Sequence, residues 1–575
     1  MNGTRPGLRD HLTGAALALA YAAILLATAA DLGLSRDEGF YVDAANAYGR
    51  WLGHLADDPS AALQRGAIDR AFAVNHEHPA LPKLLFGLAH LVDARLHLFT
   101  HPSHAYRSIG MLCAALLVWL IYVFGTRLYG RRAGLFAALA YALLPRPFYH
   151  SHLCAFDVPI VLAMTATTYA YFRSFTERRW AWWTGVLFGL ALSTKHNSWF
   201  LPAIFLVHFA FVSVMERRRR RAGAAPVIDL SPRWLLAMAT LGPLVFVGLW
   251  PWLWHDTLAR INSYASFHTH HDYYNMAYFG VNYFWPPFPM SYVWVMTLYT
   301  VPTTTLLLGV AGIATEARVF VARVRDAFGA ATPGAASDAA TPPLATEASL
   351  LVFGSFLAPL VVMSLPSTPI FGGTKHWFSA YPFLALFAGV GFSRALDLYT
   401  TVLRPRGAGG SGRGAPWLAP VTGALLLAPA AVETAHAHPF ALSHYGFAAG
   451  FVPGAADRGM NRQFWGYTTG SLAGFFARTL PHGGRVYVCD TTTGAFSMLA
   501  RDGFMPSNIL PTLDIASADY ALVHHEHHFA EVDHQIWSTW GTTRPVHVLA
   551  YDGVPIISVY ANPSSPAQVR VSFPR

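Results

Sequence analysis

The chain has 575 residues, of which 54% are hydrophobic and only 12% are charged. Because soluble domains average about 25% charged residues, this composition excludes an ordinary soluble enzyme and indicates an integral membrane protein. The formal net charge is +9, but the arginines gather in short clusters between hydrophobic runs. That pattern is typical of topology anchors, so we expect no nucleic-acid partner. Three cysteines lie far apart and predict neither a disulfide framework nor a cysteine metal site.

Hydrophobic runs of membrane-spanning length occupy most of the chain. The first run is long for a signal peptide and lacks a convincing cleavage site, so we predict a retained helix. Eleven spans are predicted, at 12–30, 108–125, 133–149, 158–172, 180–194, 199–215, 233–250, 290–313, 348–365, 377–393 and 417–433. A shorter run at 84–92 has charged residues at both ends, and we place it on the outer surface.

The arginine clusters support this count, because cytoplasmic loops of membrane proteins are rich in Lys and Arg. With a cytoplasmic N-terminus and eleven spans, every cluster falls inside, and the short outside loops hold single cations at most. The inside clusters lie at 127–132, 173–179, 217–221 and 394–413. We therefore predict an all-α polytopic domain, 1–435, in the plasma (inner) membrane, with an outer first loop at 31–106.

The hydrophobic spans stop after Glu433, and residues 436–575 predict a small soluble α/β domain on the outer, periplasmic side. Its predicted elements are a strand at 484–489, a helix at 493–501, a strand at 518–523 and a β-hairpin at 546–560. Asp552-Gly553 suits the tight turn of that hairpin. The histidine-rich tract 524–528 predicts a solvated loop, with metal binding as the alternative.

The unusual polar residues fall at the outer ends of the predicted spans. The most distinctive stretch follows the first span, where Asp37 and Glu38 precede an amphipathic run at 41–55. This run predicts a helix lying along the bilayer surface. Transporters usually carry polar groups near the middle of their spans, whereas His208 is the main such residue here. The distribution favours surface chemistry on a lipid-borne substrate.

Only three of the 40 basic Lys and Arg residues are lysines, and all three lie in outer polar clusters: Lys83, Lys195 and Lys375. An arginine-biased genome together with coincidence is one explanation. The functional alternative is that compact ammonium groups converge on a phosphate, which needs neither the fork nor the length of arginine.

The outer acids suit a reaction whose leaving group needs no proton. When a sugar is carried as a lipid phosphate, the phosphate leaves readily once its charge is neutralised. The remaining task is to remove a proton from the acceptor hydroxyl. We expect Asp37 to be this base, with Glu38 and Asp157 as supporting groups. The structural alternative for Asp37 and Glu38 is helix capping.

Several stretches resemble motifs of the GT-C glycosyltransferases that use polyprenyl-phosphate sugars, in particular the protein O-mannosyltransferase and aminoarabinose transferase group (glycosyltransferase family 39-like). Residues 35–41 look like the acidic first-loop motif. His78-Pro79-Ala80-Leu81-Pro82-Lys83 resembles the mannosyltransferase pattern His-Pro-Pro-Leu-Gly-Lys and departs from it at the third and fifth positions. Glu77-His78-Pro79 is also similar to Glu-Lys-Pro of the aminoarabinose enzymes. With 107–157 and 373–382, the resemblance covers roughly 10–395.

The resemblance implies roles for individual residues. Asp37 would be the catalytic carboxylate and Asp157 the second acid. The donor phosphate would be held by basic residues of the outer loops: Lys83, Lys195, Arg260, Lys375 and His376. We expect His76 and His78, from the same outer cluster as Lys83, to lie beside the substrate.

A divalent metal is an open question, because some GT-C enzymes hold the phosphate with one and others do not. Glu77 together with His255, or with one of the histidines at 268–271, offers ligand types that suit zinc; magnesium and manganese are alternatives. Histidine is also plentiful elsewhere, with 27 in the chain, so the residue types alone do not establish a metal site.

The outer loop 264–288 is crowded with aromatic residues, among them Tyr273 and Tyr274. An interfacial aromatic belt explains them. The functional alternative is a lid that packs a lipid tail or stacks on a sugar.

The sequence thus predicts an inverting glycosyltransferase that moves a sugar from a polyprenyl-phosphate donor to an acceptor hydroxyl at the outer face of the membrane. A transporter or flippase of a lipid-linked sugar is the alternative, and a catalytically silent scaffold is a third. The sequence does not specify the sugar, or whether the acceptor is protein, lipid or glycan.

Overall fold

The computed structural model describes residues 4–221, 223, 225–328, 343–399, 417–526 and 529–565. Five helices in these ranges are long and apolar enough to cross a bilayer: Leu8–Asp31, Pro102–Tyr129, His196–Arg221, Thr303–Arg325 and Leu418–Ala437. Shorter apolar helices are Arg233–Gly248 and Glu347–Met363. The mainly helical fold with apolar spans is as predicted, and the count of eleven stays a prediction. Much of the arginine cluster at 394–413 lies outside the described residues.

The described helices and strands alternate with short loops. The first part of the chain contains α1 (Leu8–Thr28), α2 (Arg36–Asp57), α3 (Pro59–Ala62), α4 (Arg65–Phe72), α5 (Leu81–Leu96), α6 (Pro102–Tyr129), α7 (Arg131–Ala142), α8 (Pro145–Ser151), α9 (Asp157–Ser174), α10 (Arg179–Leu192), α11 (Phe200–Arg221), α12 (Arg233–Gly248) and α13 (Thr257–Thr269). A small hairpin of β1 (Met276–Tyr278) and β2 (Val281–Tyr283) follows, and then α14 (Tyr292–Thr300), α15 (Thr303–Phe328), α16 (Pro343–Met363), α17 (Tyr381–Leu398) and α18 (Leu418–Ala437). The last part contains α19 (Phe451–Asp457), α20 (Ala473–Thr479), β3 (Gly484–Tyr487), α21 (Thr493–Arg501), β4 (Ile509–Thr512), β5 (Tyr520–His524), α22 (Ala530–Trp540), β6 (His547–Tyr551) and β7 (Val554–Ala561).

Two predicted continuous spans are broken by proline. The run 133–149 is divided into α7 and α8, because Pro145 lacks a backbone N–H and restricts the residue before it. The run 290–313 is divided into α14 and α15 at Pro302 for the same reason. The prediction of single helices over these two runs is wrong. The first break has a consequence for the site, since α8 turns several polar side chains into the protein interior.

Helix α5, which contains the non-spanning run 84–92, packs closely on the amphipathic helix α2. A Cβ added at Gly87 would lie 2.4 Å from the carbonyl oxygen of Ala45, so only glycine allows this approach. The contact fixes the position of α2, whose first turn carries Asp37 and Glu38.

The C-terminal strands form one mixed sheet in the order β4-β3-β5-β7-β6. Its hairpin of β6 and β7 is confirmed, and Asp552 and Gly553 have φ of +49° and +76°, as a tight two-residue turn requires. The predicted helix 493–501 coincides with α21. Strand β4 was not predicted, because Pro511 interrupts its pattern; β4 lies at the sheet edge, where proline is tolerated.

The histidine-rich tract after β5 is not the solvated loop that its composition predicts. His524 is the last residue of β5 and is fully buried, with Nε2 3.1 Å from Oγ1 of Thr469. His525 places Nε2 2.9 Å from Oγ of Ser558. The prediction is wrong for these positions, and 527–528 lie outside the described residues.

The C-terminal region packs directly against the first outer loop. A Cβ added at Gly39 of α2 would lie 2.0 Å from Oγ1 of Thr492, just before α21. A Cβ at Gly33 would lie 2.5 Å from the Cα of Gly470. These contacts place the C-terminal region beside the first turn of α2, where it can contribute side chains to a site there.

Candidate active site

The first turn of α2 is fixed by Glu38, which is fully buried. Its Oε2 accepts a hydrogen bond from the backbone N–H of Ser35 at 2.9 Å, completing a capping box. Arg107 of α6 donates through Nε and Nη2 to the two carboxylate oxygens at 2.8 and 3.0 Å. The backbone N–H of Cys154 donates to Oε1 at 3.0 Å. Each carboxylate oxygen of Glu38 is therefore engaged in holding α2 against α6 and the segment between α8 and α9.

Asp37, the neighbouring residue, faces a different environment. Lys375 Nζ donates to its Oδ2 at 3.0 Å, and Arg36 Nε lies 3.6 Å from its Oδ1. The side chain stays 20% exposed. Burial favours the neutral acid, but the charges of Lys375 and Arg36 outweigh it and hold the pKa of Asp37 below its usual value. Asp37 is thus a carboxylate that a substrate can reach.

Lys375 lies in a buried 3₁₀ helix, Gly373–Ala380, and packs against aromatic rings. Its Nζ is 3.8 Å from the ring centroid of Trp465 and 5.1 Å from that of Phe371. His376, the next residue, has Nε2 2.6 Å from the carbonyl oxygen of Phe371. Burial lowers the pKa of Lys375, while the charge of Asp37 opposes that effect. The ammonium is thus confined between one carboxylate and two aromatic faces.

The C-terminal region closes this pocket with residues that the sequence did not single out. The carbonyl oxygen of Trp465 accepts a hydrogen bond from the backbone N–H of Arg36 at 2.8 Å. The side chain of Arg36 donates through Nη1 to Asp490 at 2.5 Å. Asp490 lies beside the buried carboxyl of Glu526, and burial raises the pKa of both groups. No short-range motif marks these residues, because they meet α2 only in the folded protein.

Asp157 forms the second acid–lysine pair of the site. It begins α9, and its Oδ1 accepts a hydrogen bond from Lys195 Nζ at 2.8 Å. Its Oδ2 lies 3.3 Å from Nδ1 of His150 on α8. The negative charge of Asp157 also acts on Asp37, where it raises the pKa in opposition to Lys375. The two predicted acids therefore lie in one site, each opposite one of the three lysines.

Lys83 has a different kind of partner. Its Nζ donates to carbonyl oxygens of its own outer loop, those of Asn75 and His78, and lies 5.1 Å from the ring of Tyr48. Burial lowers its pKa to about 7. Burial, and then the charges of Lys83 and the other two lysines, hold the pKa of His78 well below its usual value. All three lysines thus act electrostatically on His78, and their convergence on a phosphate stays a prediction.

Two other predicted contacts lie in a separate outer cluster. Arg260 on α13 stacks on Trp252 at 3.7 Å and forms an ion pair with Asp69, with Nη2 2.8 Å from Oδ1. The ring of His76 also packs on Trp252, with ring centroids 5.1 Å apart. The described contacts of Arg260 and His76 are with this cluster, so the structure does not place them beside Asp37.

Glu77 and His268, two of the residues proposed as metal ligands, are used in other contacts. Oε1 of Glu77 accepts a hydrogen bond from Asn75 at 2.6 Å, and its carbonyl oxygen lies 3.0 Å from Nε2 of His268. His255 follows the 3₁₀ helix Pro251–Trp254. Within the part of the chain that the structure describes, no three His, Cys, Asp or Glu side chains are placed to hold a metal ion. The arrangement does not fit a resident metal, and we assign no catalytic step to one.

The aromatic loop lies next to Lys375. Tyr274 packs against Phe371 with ring centroids 5.0 Å apart, and His271 packs on the same ring at 5.1 Å. Tyr273 packs on Phe288, with centroids 5.7 Å apart. The β1–β2 hairpin at the end of this loop was not predicted, because each strand has only three residues. The loop is placed to cover one side of the pocket.

One protein-family model matches part of the chain. The model of the family described as dolichyl-phosphate-mannose-protein mannosyltransferase matches residues 79–243. This match confirms the resemblance to the polyprenyl-phosphate glycosyltransferases, and it includes Lys83, Asp157 and Lys195. No curated protein matches the chain.

Several solved structures are similar to the chain. The crystal structure of ArnT from Cupriavidus metallidurans bound to undecaprenyl phosphate is 15% identical, with a TM-score of 0.47 over 97% of this chain and 99% of that one. Archaeal oligosaccharyltransferase AglB from Archaeoglobus fulgidus, in complex with an inhibitory peptide and a dolichol-phosphate, is 11% identical, with a TM-score of 0.48 over 93% and 71%. The Archaeoglobus fulgidus oligosaccharyltransferase complex with Zn and sulfate is 12% identical, with a TM-score of 0.43 over 89% and 66%.

Proposed function

We propose that the protein is an inverting glycosyltransferase of the GT-C type, which moves a sugar from a polyprenyl-phosphate donor to an acceptor hydroxyl at the outer face of the plasma membrane. The observation that carries the proposal is the partly exposed Asp37 carboxylate between Lys375 and Arg36, beside the Asp157–Lys195 pair. Placement at the outer face follows from the predicted topology. The family match supports the class of reaction.

Asp37 acts as the general base. Its carboxylate accepts the proton of the acceptor hydroxyl while the hydroxyl oxygen forms a bond to the anomeric carbon. The bond between that carbon and the phosphate oxygen breaks on the opposite face, and the phosphate leaves with the electron pair. One displacement inverts the anomeric configuration. The lowered pKa of Asp37 keeps it ionised at neutral pH, ready to receive the proton.

The lysines supply positive charge to the leaving phosphate. Lys375 and Lys195 are each paired with a carboxylate before the donor binds. A phosphate that enters between them shares these ammonium groups, and proton transfer to Asp37 removes one of the competing negative charges. The ammonium of Lys375 can then pair with the phosphate as negative charge develops on the phosphate. The leaving group is therefore stabilised more strongly as the transfer proceeds.

The aromatic loop supports substrate enclosure. Tyr274 and His271 pack on Phe371 beside the Lys375 helix, where they can cover a sugar and keep water from the anomeric carbon. Exclusion of water favours transfer to the acceptor over hydrolysis of the donor.

The test compares Asp37→Asn with a control on the same helix, Asp43→Asn, whose side chain is exposed. The wild-type protein is removed from cells, and each variant is produced in its place. Lipid-linked sugars and glycoconjugates in these cells are then measured by mass spectrometry. We expect Asp37→Asn to lower transfer by about 10²–10⁴-fold, the usual contribution of a general base, and to leave the amount of folded protein unchanged. Asp43→Asn should act like the wild type. Full transfer by Asp37→Asn would contradict the proposal.

A further inference from the structure

Arg146 on α8 is a buried cation that the proposed mechanism does not use. Its side chain is 1% exposed. The guanidinium lies 5.2 Å from the ring of Tyr445 and 5.3 Å from that of Phe464, and Nη2 has a long contact of 3.4 Å with the carbonyl oxygen of His444. Among the described residues, Nε and Nη1 have no hydrogen-bond partner. Two of the three guanidinium nitrogens are thus available to a ligand.

Three other buried cations of this region are balanced by acids. Arg107 has Glu38, Lys375 has Asp37, and Lys195 has Asp157. Arginine keeps its proton in proteins, and a buried charge without a counter-charge is strongly unfavourable. Within the described residues, Arg146 has no ion-pair contact with a carboxylate. An anionic ligand would supply the missing negative charge.

The backbone beside Arg146 approaches the guanidinium closely. Gly373 has φ +73°, and a Cβ there would lie 3.0 Å from Nη1 of Arg146. Gly372 has φ +68°, and a Cβ there would lie 2.2 Å from Nε1 of Trp465. Consecutive glycines in the left-handed region therefore bring the chain close to both the guanidinium and the indole nitrogen. A side chain at either position would crowd these donors.

The same segment presents further donors. Nε1 of Trp465 and Oγ1 of Thr374 are buried and, among the described residues, have no hydrogen-bond partner. Together with Arg146 they offer N–H and O–H groups from three separate segments: α8, the Gly373–Ala380 helix and the loop before α20. A phosphate accepts hydrogen bonds from several directions, whereas a carboxylate offers only two oxygens. The donor set therefore favours phosphate.

We infer that Arg146, Thr374 and Trp465 form a buried phosphate-binding site, adjacent to the Asp37–Lys375 pair and not assigned by the motifs. The site rests on the proposed function in one respect, namely that the donor supplies a phosphate. Lys375 Nζ lies 3.8 Å from the ring centroid of Trp465, so a phosphate bound by Nε1 of Trp465 lies near the ammonium that faces the base. The lysines that are already paired with acids do not have to bind the phosphate alone.

Binding to the purified full-length protein in lipid nanodiscs tests the inference without requiring sugar transfer. The probes are a polyprenyl phosphate and the polyprenyl alcohol of the same length, which differ only in the phosphate. We expect the wild type to bind the phosphate at least tenfold more tightly than the alcohol. Arg146→Gln should lower that preference well below tenfold, and Arg146→Lys should restore part of it. Arg478→Gln, an exposed position on α20, should keep the full preference.

A second variant covers the case in which Arg146→Gln does not fold. Thr374→Val removes one hydroxyl at nearly constant volume and should reduce the preference for phosphate several-fold.

Inorganic phosphate at millimolar concentration distinguishes the two sources of the ligand, free phosphate and the lipid head group. If it protects the wild type but not Arg146→Gln from thermal unfolding, the site takes free phosphate; if only the lipid phosphate binds, the site takes the lipid head group.

The inference is overturned if folded Arg146→Gln keeps the tenfold preference, or if Thr374→Val keeps it when Arg146→Gln cannot be purified. Failure of the proposed function looks different. In that case the protein transfers no sugar, yet the preference for phosphate over alcohol persists and depends on Arg146.

Discussion

The surroundings of Asp37 and Glu38, consecutive residues on the first turn of α2, are opposite in character. Glu38 is fully buried and satisfied by Arg107 and two backbone N–H groups. Asp37 is partly exposed and faces the ammonium of Lys375. Successive residues of a helix point about 100° apart, so one carboxylate is directed into the helix bundle and the other into the pocket. Asp37 and Glu38, which form one acidic motif in the sequence, therefore have different roles.

This difference explains how the pocket can be both rigid and reactive. A base needs a carboxylate with a free oxygen, whereas a helix that carries the base needs a fixed position. Glu38 provides the fixed position, because breaking its contacts would release α2 from α6. Asp37 can then exchange Lys375 for an acceptor hydroxyl without disturbing the fold. The sequence prediction of Glu38 as a supporting group stays a prediction, and its contacts favour positioning over proton transfer.

The variant Glu38→Gln tests whether Glu38 has a structural role and Asp37 a catalytic one. Loss of one partner leaves Arg107 as an uncompensated buried charge, and we expect the free energy of unfolding to fall by about 3–5 kcal/mol. Thermal unfolding of the purified protein in detergent measures this. The double variant Glu38→Met with Arg107→Met removes both charges and should regain much of the stability. A Glu38→Gln protein with normal stability and no transfer would instead assign Glu38 to the chemistry.

The variant Lys375→Met tests the role of Asp37 through the pH dependence of transfer. Asp37 works as a carboxylate, so transfer falls as the pH drops through its pKa. Lys375 lowers that pKa, and without it the pKa rises, which moves the acid limb of kcat/KM to higher pH. We expect roughly a tenfold loss at neutral pH, equivalent to about 1.4 kcal/mol.

Lys375→Arg is the matched control, because it keeps the positive charge opposite Asp37. Its acid limb should stay close to that of the wild type, although the longer guanidinium reduces the maximal rate. If the acid limb does not move in Lys375→Met, a group other than Asp37 determines the pH dependence of the rate.

Local patterns predicted much of the fold. Hydrophobic runs located the apolar helices, and the Asp552-Gly553 pair located the C-terminal hairpin. Proline positions were visible in the sequence, yet the runs through Pro145 and Pro302 were read as continuous because their hydropathy is uninterrupted. The three-residue strands β1 and β2 are too short for any periodicity.

The site likewise contains some residues that the sequence predicts and others that it does not. Asp37, Asp157, Lys195 and Lys375 lie in distinctive polar stretches and could be predicted to converge, because the topology places those stretches on one face. Trp465 closes the pocket through contacts that span more than 400 residues of sequence. Such contacts depend on tertiary packing, which no local pattern encodes. Arg146 was not singled out, because it lies within the hydrophobic run 133–149 and belongs to no motif.

Arg260→Gln should have the smallest effect, and it tests whether the resemblance or the geometry better identifies phosphate contacts. Arg260 stacks on Trp252 and pairs with Asp69, which is 32% exposed. We expect a stability loss of about 1 kcal/mol or less, since partly exposed ion pairs contribute little, and a donor KM within about twofold of the wild type. Donor titration in the transfer assay measures this. A tenfold rise in KM without loss of stability would mean that the outer cluster moves toward the phosphate when the donor binds, and that the pocket around Asp37 is completed by closure of α13.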